Sequence, residues 1–121
     1  MRACRAGLLA LSLLLSGEGS IAGEVCIASH YGVGDGYHGG RVACRGLGPF
    51  NTYATNPYTV AHRTAQCGSW LRITSLTTGR TIRARVTDRG PFIKGRCVDL
   101  GIAGARALGM GGLARVRVEP D

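Results

Sequence analysis

The stretch that decides the fold runs Trp70-Leu71-Arg72-Ile73-Thr74-Ser75-Leu76, Thr77-Thr78-Gly79-Arg80, Thr81-Ile82-Arg83-Ala84-Arg85-Val86-Thr87. In its second arm Ile82, Ala84 and Val86 share one face, because successive side chains of a strand point to opposite faces. The residues between the arms contain Gly79, as the turn of a β-hairpin often does. The stretch therefore predicts a hairpin with one apolar face.

Two more strands and one helix are predicted on either side of this hairpin. Glu24 to Tyr31 is typical of an opening strand, and Leu113 to Val118 alternates like a closing one. Ile102 to Leu108 is rich in alanine and leucine and ends before Gly109, which predicts a short helix. Residues 32–57 are dense in glycine and turn residues and are expected to be mostly loop. Many short strands favour a small β-barrel, because closure removes exposed strand edges.

The amino terminus has the pattern of a secretion signal, assigned to residues 1–22. Arg2 and Arg5 give a basic start, Leu8 to Leu15 is apolar, and Ser20-Ile21-Ala22 offers small residues for cleavage. The apolar run is too short for a permanent membrane span. Residues 24–121 are expected to form one domain, because a chain of 121 residues has room for little more than one core. We expect export to the periplasm or the exterior, without stable membrane insertion.

The cysteines predict disulfides. Removal of the signal also removes Cys4 and leaves Cys26, Cys44, Cys67 and Cys97, an even number in a small exported domain. Two bridges are the natural interpretation, and the sequence leaves all three pairings open. A zinc site would need closely spaced pairs such as Cys-x-x-Cys, which are absent. No metal and no cofactor is expected.

The charge indicates an anionic partner. The chain has 15 Lys and Arg against 7 Asp and Glu, a net charge of +8. Export argues against nucleic acid, as does the lack of aromatic residues interleaved with the basic ones. The polymers of a cell envelope fit better, and a merely solvated basic surface stays as the alternative. We expect a monomer.

One segment offers a candidate acid. Asp88 ends the hairpin's second strand and is followed by Arg89 and the strand-stopping pair Gly90-Pro91. Strand ends are rigid places from which functional groups are presented. The alternative is that Asp88 only accepts hydrogen bonds from its own turn. His62 is a second candidate, although a lone histidine is more often structural.

Other polar residues have simpler interpretations. His30 and His38 flank a glycine-rich loop with Tyr31 and Tyr37, which could stack on sugars or pack together. A zinc site built from the three histidines lacks metal spacing. Asp99 precedes the predicted helix, where an aspartate commonly caps backbone N–H groups.

A series of short motifs then identifies a family. They are Ala28-Ser29-His30-Tyr31-Gly32, Tyr37-His38-Gly39-Gly40-Arg41-Val42-Ala43, Thr59-Val60-Ala61-His62-Arg63-Thr64, Cys67-Gly68-Ser69-Trp70-Leu71-Arg72-Ile73-Thr74, Val86-Thr87-Asp88-Arg89-Gly90-Pro91-Phe92 and Gly95-Arg96-Cys97-Val98-Asp99-Leu100. Together they resemble the rare lipoprotein A (RlpA) domain. The resemblance implies an all-β, six-stranded double-psi β-barrel related to expansins and barwin.

The resemblance also implies a function. Characterised RlpA enzymes are lytic transglycosylases of peptidoglycan that act on glycan strands stripped of peptides. The family's aspartate falls on Asp88 and its histidine on His62. Tyr31, Arg89 and Phe92 are then expected to shape the substrate groove. Because the hydroxyl of muramic acid displaces the leaving sugar, one carboxyl group can serve as acid and then as base.

Alternative functions remain open. Where the family has a glutamate, residues 41–53 contain no acid, which favours a non-catalytic, expansin-like binder of wall glycans. The cysteines also permit a barwin-type inhibitor of another secreted protein.

Overall fold

The computed structural model describes residues 23–31, 42–48 and 58–121. Its elements are β1 (Glu24–Tyr31), β2 (Thr59–His62), β3 (Trp70–Ser75), β4 (Thr81–Asp88), β5 (Arg96–Gly101), α1 (Ile102–Leu108) and β6 (Ala114–Pro120). The predicted signal peptide lies outside the described residues, as do His38, Tyr37 and most of the predicted loop.

The six strands form a closed barrel in the order β1-β5-β2-β4-β3-β6, with β6 pairing back onto β1. Two pairs are parallel, β1 with β5 and β2 with β4, and the other four are antiparallel. Closure gives every strand a hydrogen-bonded neighbour on both sides, so the barrel has no exposed strand edge. The structure confirms a six-stranded β-barrel with one short helix.

Alternating apolar residues of the strands fill the barrel. On the predicted hairpin, Leu71 and Ile73 of β3 and Ala84 and Val86 of β4 are buried. On the outer face they alternate with Trp70, Arg72 and Thr74 of β3 and with Arg83 and Arg85 of β4. The hairpin therefore folds as its two-residue period predicts.

The short helix packs against the barrel and ends as its sequence predicts. Ala105 and Leu108 of α1 are buried in the core cluster. Gly109 terminates the helix with φ of 73°, a left-handed conformation that glycine adopts without steric cost. A Cβ at this position would lie 2.9 Å from Arg80 Nη1, so the Arg80 side chain would have to move to admit another residue.

Both disulfides form, and the structure resolves their pairing. Cys26 of β1 is bonded to Cys97 of β5, across 71 residues of sequence. Cys44 is bonded to Cys67, across 23 residues, and ties the segment 42–48 to the turn before β3. Within the described residues, no helix has the length and hydropathy needed to cross a membrane.

The interpretation of Asp99 as a helix cap is wrong. The position before α1 is Gly101, and no side chain caps the helix there. Asp99 instead lies inside β5, which runs up to the helix without a break. The alternation Val98-Asp99-Leu100, with both apolar residues buried, is the strand signal that this interpretation passed over.

Candidate functional site

Asp88 is the last residue of β4, and an irregularity in the pairing of β4 with β2 changes the direction of its side chain. Val86 pairs with Val60 of β2, but the next pair is Asp88 with Ala61, so Thr87 is an extra residue. Such a bulge re-aims the side chain that follows it. Asp88 Oδ1 accepts hydrogen bonds from the backbone N–H groups of Ala43 and Arg89, each at 2.9 Å. The Arg89 N–H belongs to the turn that Asp88 itself begins, as the structural alternative predicted, and the Ala43 N–H is distant in sequence.

Asp88 belongs to a row of register partners that crosses four strands. Ala61 is the register partner of Asp88 on one side and of Asp99 on the other, and Asp99 is in turn paired with Ser29 of β1. We call Ser29, Asp99, Ala61 and Asp88 the acidic row. Ser29 Oγ donates to Asp99 Oδ1 at 3.1 Å. Because the adjacent core residues point inward, the row faces away from the core. Asp88 and Asp99 are half-buried there, and Ser29 and Ala61 are buried.

Tyr31 lies beside this row. Its side chain is buried, and its hydroxyl is 2.8 Å from Thr59 Oγ1. Burial raises the pKa of Tyr31 to about 12, the hydrogen bond with Thr59 opposes that rise, and the charges of Asp99 and Asp88 add to it. The phenol therefore stays protonated at neutral pH, close to both carboxyl groups. Because the side chain is buried, Tyr31 adds to the site from beside the row and offers little surface to a substrate.

His62 is buried on the opposite side of its strand from Ala61. Its register partner Val98 belongs to the core, which places the ring toward the barrel interior. Nδ1 accepts hydrogen bonds from the backbone N–H groups of Thr64 at 3.1 Å and Ala65 at 2.9 Å. Nε2 lies 3.5 Å from Glu24 Oε1. This geometry fits a neutral ring with its proton on Nε2, directed at the carboxylate.

The Arg89 side chain contacts the turn that carries Thr64 and Ala65, which His62 also binds. Nη1 donates to the backbone oxygens of His62 at 3.1 Å and Ala65 at 2.6 Å. Nη2 lies 3.2 Å from Cys67 Sγ. The guanidinium group, expected in the groove, is therefore held against the turn between β2 and β3, and its backbone N–H is the part that contacts Asp88.

The second disulfide holds the distant donor of Asp88 in place. Cys44, bonded to Cys67, also donates its backbone N–H to the carbonyl of Thr87 at 3.0 Å. These two links fix the segment 42–48 against the end of β4. The amide of Ala43 is thereby brought to Asp88 from 45 residues away, and no local pattern in the sequence could have identified it.

Phe92 lies in the loop that follows Asp88. Its side chain is 78% exposed, and that of its neighbour Ile93 is 55% exposed. Gly90 has φ of 108°, and a Cβ there would lie 3.3 Å from the Phe92 ring. A large exposed aromatic ring four residues from Asp88 is available to pack against a sugar.

The structure thus brings Asp88, Asp99 and Tyr31 together, with Phe92 following in the same loop. His62 and Arg89 both bind the turn 62–65, and Arg89 also contacts Asp88 through its backbone N–H. Among the described residues, the grouping with metal-ligand atoms consists of Glu24, Cys26 and Cys97. Both of its sulfur atoms belong to a disulfide, so it offers no thiolate ligand.

Known proteins are similar to this chain in sequence. A family model described as "Lytic transglycolase" matches residues 36–119. The "Probable endolytic peptidoglycan transglycosylase RlpA" of Nostoc sp. (strain PCC 7120) is 42% identical over 113 residues, which are 92% of this chain and 27% of that protein. The "Endolytic peptidoglycan transglycosylase RlpA" of Pasteurella multocida is 45% identical over 69 residues, 55% of this chain and 24% of that protein. The chain spans about a quarter of the length of these curated relatives.

Solved structures share its fold. An expansin of Clavibacter michiganensis matches with a TM-score of 0.54 and 25% identity, over 80% of this chain and 49% of the expansin. Cerato-platanin 3 from M. perniciosa matches with a TM-score of 0.59 and 22% identity, over 81% of this chain and 94% of that protein. The family model covers most of the chain, and the relatives agree with it. The chain belongs to the RlpA-like family of double-psi β-barrel proteins.

Proposed function

We propose that this chain is an exported endolytic lytic transglycosylase that cleaves peptide-poor glycan strands of peptidoglycan in the cell envelope. The names of its curated relatives support the reaction and the polymer. The observation that carries the proposal is the position of Asp88, a carboxyl group fixed by two backbone amides at the end of a barrel strand.

The two amides make Asp88 suitable for proton transfer. Because both donate to Oδ1, they set the plane of the carboxyl group, and we assign proton exchange with the substrate to Oδ2. A carboxyl group held in one orientation needs little reorganisation when the transition state forms.

The reaction then balances with a single acid. Asp88 begins protonated and gives its proton to the glycosidic oxygen as the bond from that oxygen to C1 of muramic acid breaks. The C6 hydroxyl of the same muramic acid forms a new bond to C1 and gives its proton to Asp88. The products are a free sugar hydroxyl and a 1,6-anhydro end, no water is consumed, and the acid is regenerated.

Asp99 supplies the second charge of the site. Cleavage passes through a transition state with positive charge at C1. Asp99 is one strand beyond Ala61, so its Cα is roughly 10 Å from that of Asp88, two interstrand spacings away. We assign to it the electrostatic stabilisation of that charge, while Tyr31 is a buried, neutral phenol near both carboxyl groups.

His62 and Arg89 are positioning residues in this proposal, and Phe92 contacts substrate. His62 and Arg89 fix the turn 62–65, and Arg89 contributes its backbone amide to Asp88. The exposed ring of Phe92 is assigned to stacking on a sugar near the scissile bond.

Digestion of peptide-free glycan strands, with mass spectrometry of the product ends, tests the proposal. Anhydro ends are expected from the wild-type chain. Reducing ends would mean hydrolysis by water and would contradict the mechanism. No soluble product together with retention on insoluble glycan would support the alternative, a non-catalytic glycan binder, which the lack of an acid in residues 41–53 favours.

A further inference from the structure

The outer face of β4, β3 and β6 is strongly basic. Its outward positions carry Arg72, Arg83, Arg85, Arg115 and Arg117. Four of these arginines are exposed, and Arg85 is half-buried. Two acids, Glu119 and Asp121, lie at one end of the same surface. We call this surface the arginine face.

Folding alone does not explain this concentration of charge. Arg72 and Arg83 are direct register partners on β3 and β4, and like charges placed opposite each other destabilise a sheet. Asp121 lies between them: its carboxylate is 3.6 Å from Arg72 Nε and is also bonded by Arg83 Nε. One carboxylate offsets one of the two charges, so the face stays positive and attracts anions.

An aromatic cleft lies at one edge of the arginine face. It has a volume of about 550 Å³ and is lined by Tyr58, Trp70, Thr81, Ile82, Arg83 and Ala107. The guanidinium groups of Arg83 and Arg85 lie 4.8 and 5.7 Å from the centre of the Trp70 ring. Tyr58 is 41% exposed. The cleft thus combines aromatic surface with cations, within the size range of small-molecule sites.

The cleft and the acidic row are linked by strand β4, which contributes Arg83 to the cleft and Asp88 to the row. Trp70 is paired with Arg85, and Arg85 is paired with Thr59, a buried residue whose hydroxyl group contacts the buried Tyr31 beside the acidic row. Along β4, Asp88 follows Arg85 by three residues and Arg83 by five. At about 3.3 Å per residue, the cleft is roughly 15 Å from the candidate acid.

We propose that the arginine face and its aromatic cleft form an accessory subsite for a carboxylate-bearing glycan strand that extends from the acidic row. This inference rests on the proposed function for the identity of the polymer. Sugar rings pack on Trp70 and Tyr58, and the carboxylates of muramic acid bind the arginines, whose planar groups match carboxylate geometry. A site for single-stranded nucleic acid would need successive aromatic platforms along the groove, whereas the aromatic residues of this face that the structure describes, Trp70 and Tyr58, are grouped at one end.

The sole tryptophan of the chain reports directly on this subsite. The experiment measures Trp70 fluorescence and its quenching by acrylamide while soluble peptide-free glycan oligomers are added, using Asp88→Asn so that the ligand is not consumed. Co-sedimentation with insoluble peptide-free glycan measures total binding in parallel. The test variant is Arg83→Gln with Arg117→Gln. The control is Arg45→Gln with Arg106→Gln, which removes the same charge from exposed positions outside the face.

We expect oligomers to change the emission saturably and to protect Trp70 from acrylamide. The test variant should bind about tenfold more weakly and the control within about twofold, since each exposed charge contributes modestly. Amidation of the glycan carboxylates should weaken wild-type binding to the level of the test variant.

The subsite would be overturned by unchanged Trp70 protection while glycan demonstrably binds, by equal binding of test and control variants, or by equal binding of amidated glycan. Equal protection by a DNA oligonucleotide of matched charge would mean unspecific polyanion binding and would also overturn it. A wild-type chain that binds in this way but releases no anhydro ends would leave the subsite standing and refute the proposed enzymatic function.

Discussion

The side chains of His62 and Arg89 bind the same turn, residues 62–65, His62 through backbone N–H groups and Arg89 through backbone carbonyl groups. His62 Nδ1 accepts the N–H groups of Thr64 and Ala65, while Arg89 Nη1 donates to the carbonyls of His62 and Ala65. Arg89 then gives its own backbone N–H to Asp88. The histidine is therefore linked to the candidate acid through a turn and an arginine.

This link predicts the behaviour of two His62 variants. His62→Ala leaves two N–H groups without their acceptor and should lower the free energy of unfolding by about 2–3 kcal/mol. Because the turn also loosens, kcat should fall about tenfold. His62→Asn, which keeps an acceptor near the position of Nδ1, should recover part of both losses. Thermal unfolding and kcat on peptide-free glycan measure these effects, and a stable His62→Asn variant with no activity would instead indicate direct contact with substrate.

The two disulfides should separate stability from activity. Replacement of Cys26 and Cys97 by serine opens the longer loop and should cost about 4 kcal/mol, against about 3 kcal/mol for Cys44 and Cys67. The shorter bridge fixes the amide of Ala43 against Asp88. We therefore expect the larger loss of kcat from its removal, measured well below the unfolding temperature of each variant. The opposite order of kcat losses would show that this amide does not support the acid.

Tyr31 predicts an alkaline limit to stability. Its pKa is about 12 in the folded chain and 10.0 in the reference state, so between these values the unfolded chain loses a proton that the folded chain keeps. Stability is complete below pH 10 and falls as the pH rises toward 12, by about 2–3 kcal/mol in total from this group. Denaturant unfolding from pH 8 to 11 should show a shallower decline for Tyr31→Phe. Parallel declines for both chains would refute the shifted pKa.

Asp99→Asn tests the second carboxyl group. Because Asp99 is assigned charge stabilisation rather than proton transfer, its loss should lower kcat about 10- to 100-fold with little change in KM. Asparagine can still accept the hydrogen bond from Ser29, so folding should be retained. An increase in KM alone, at unchanged kcat, would assign Asp99 to ground-state binding.

The sequence predicts those parts of this protein that depend on local alternation. The hairpin follows from its two-residue period, and the helix before Gly109 follows from its alanine and leucine content and the glycine that ends it. β2, with four consecutive buried residues, shows no alternation to read. The six-stranded barrel was predicted from the family resemblance, and the structure confirms it.

The site is predicted less fully, because its geometry depends on pairing between distant strands. Asp88 was identified at a strand end, but the extra residue Thr87 and the shared partner Ala61 appear only in the register. Asp99 was missed as a member of the site for the same reason. The disulfide pairing also depends on the closed barrel, since four cysteines permit three arrangements.

The central claim is that the carboxyl group of Asp88 transfers the proton, and Asp88→Asn tests it most directly. The asparagine carbonyl can still accept from Ala43 and Arg89, so the variant should fold and bind insoluble glycan like the wild type. Release of anhydro ends should fall by about 10²–10⁴-fold, while Arg106→Gln, at an exposed position outside the acidic row and the arginine face, should leave release within about twofold of the wild type. A folded Asp88→Asn variant that releases anhydro ends at the wild-type rate would contradict the account.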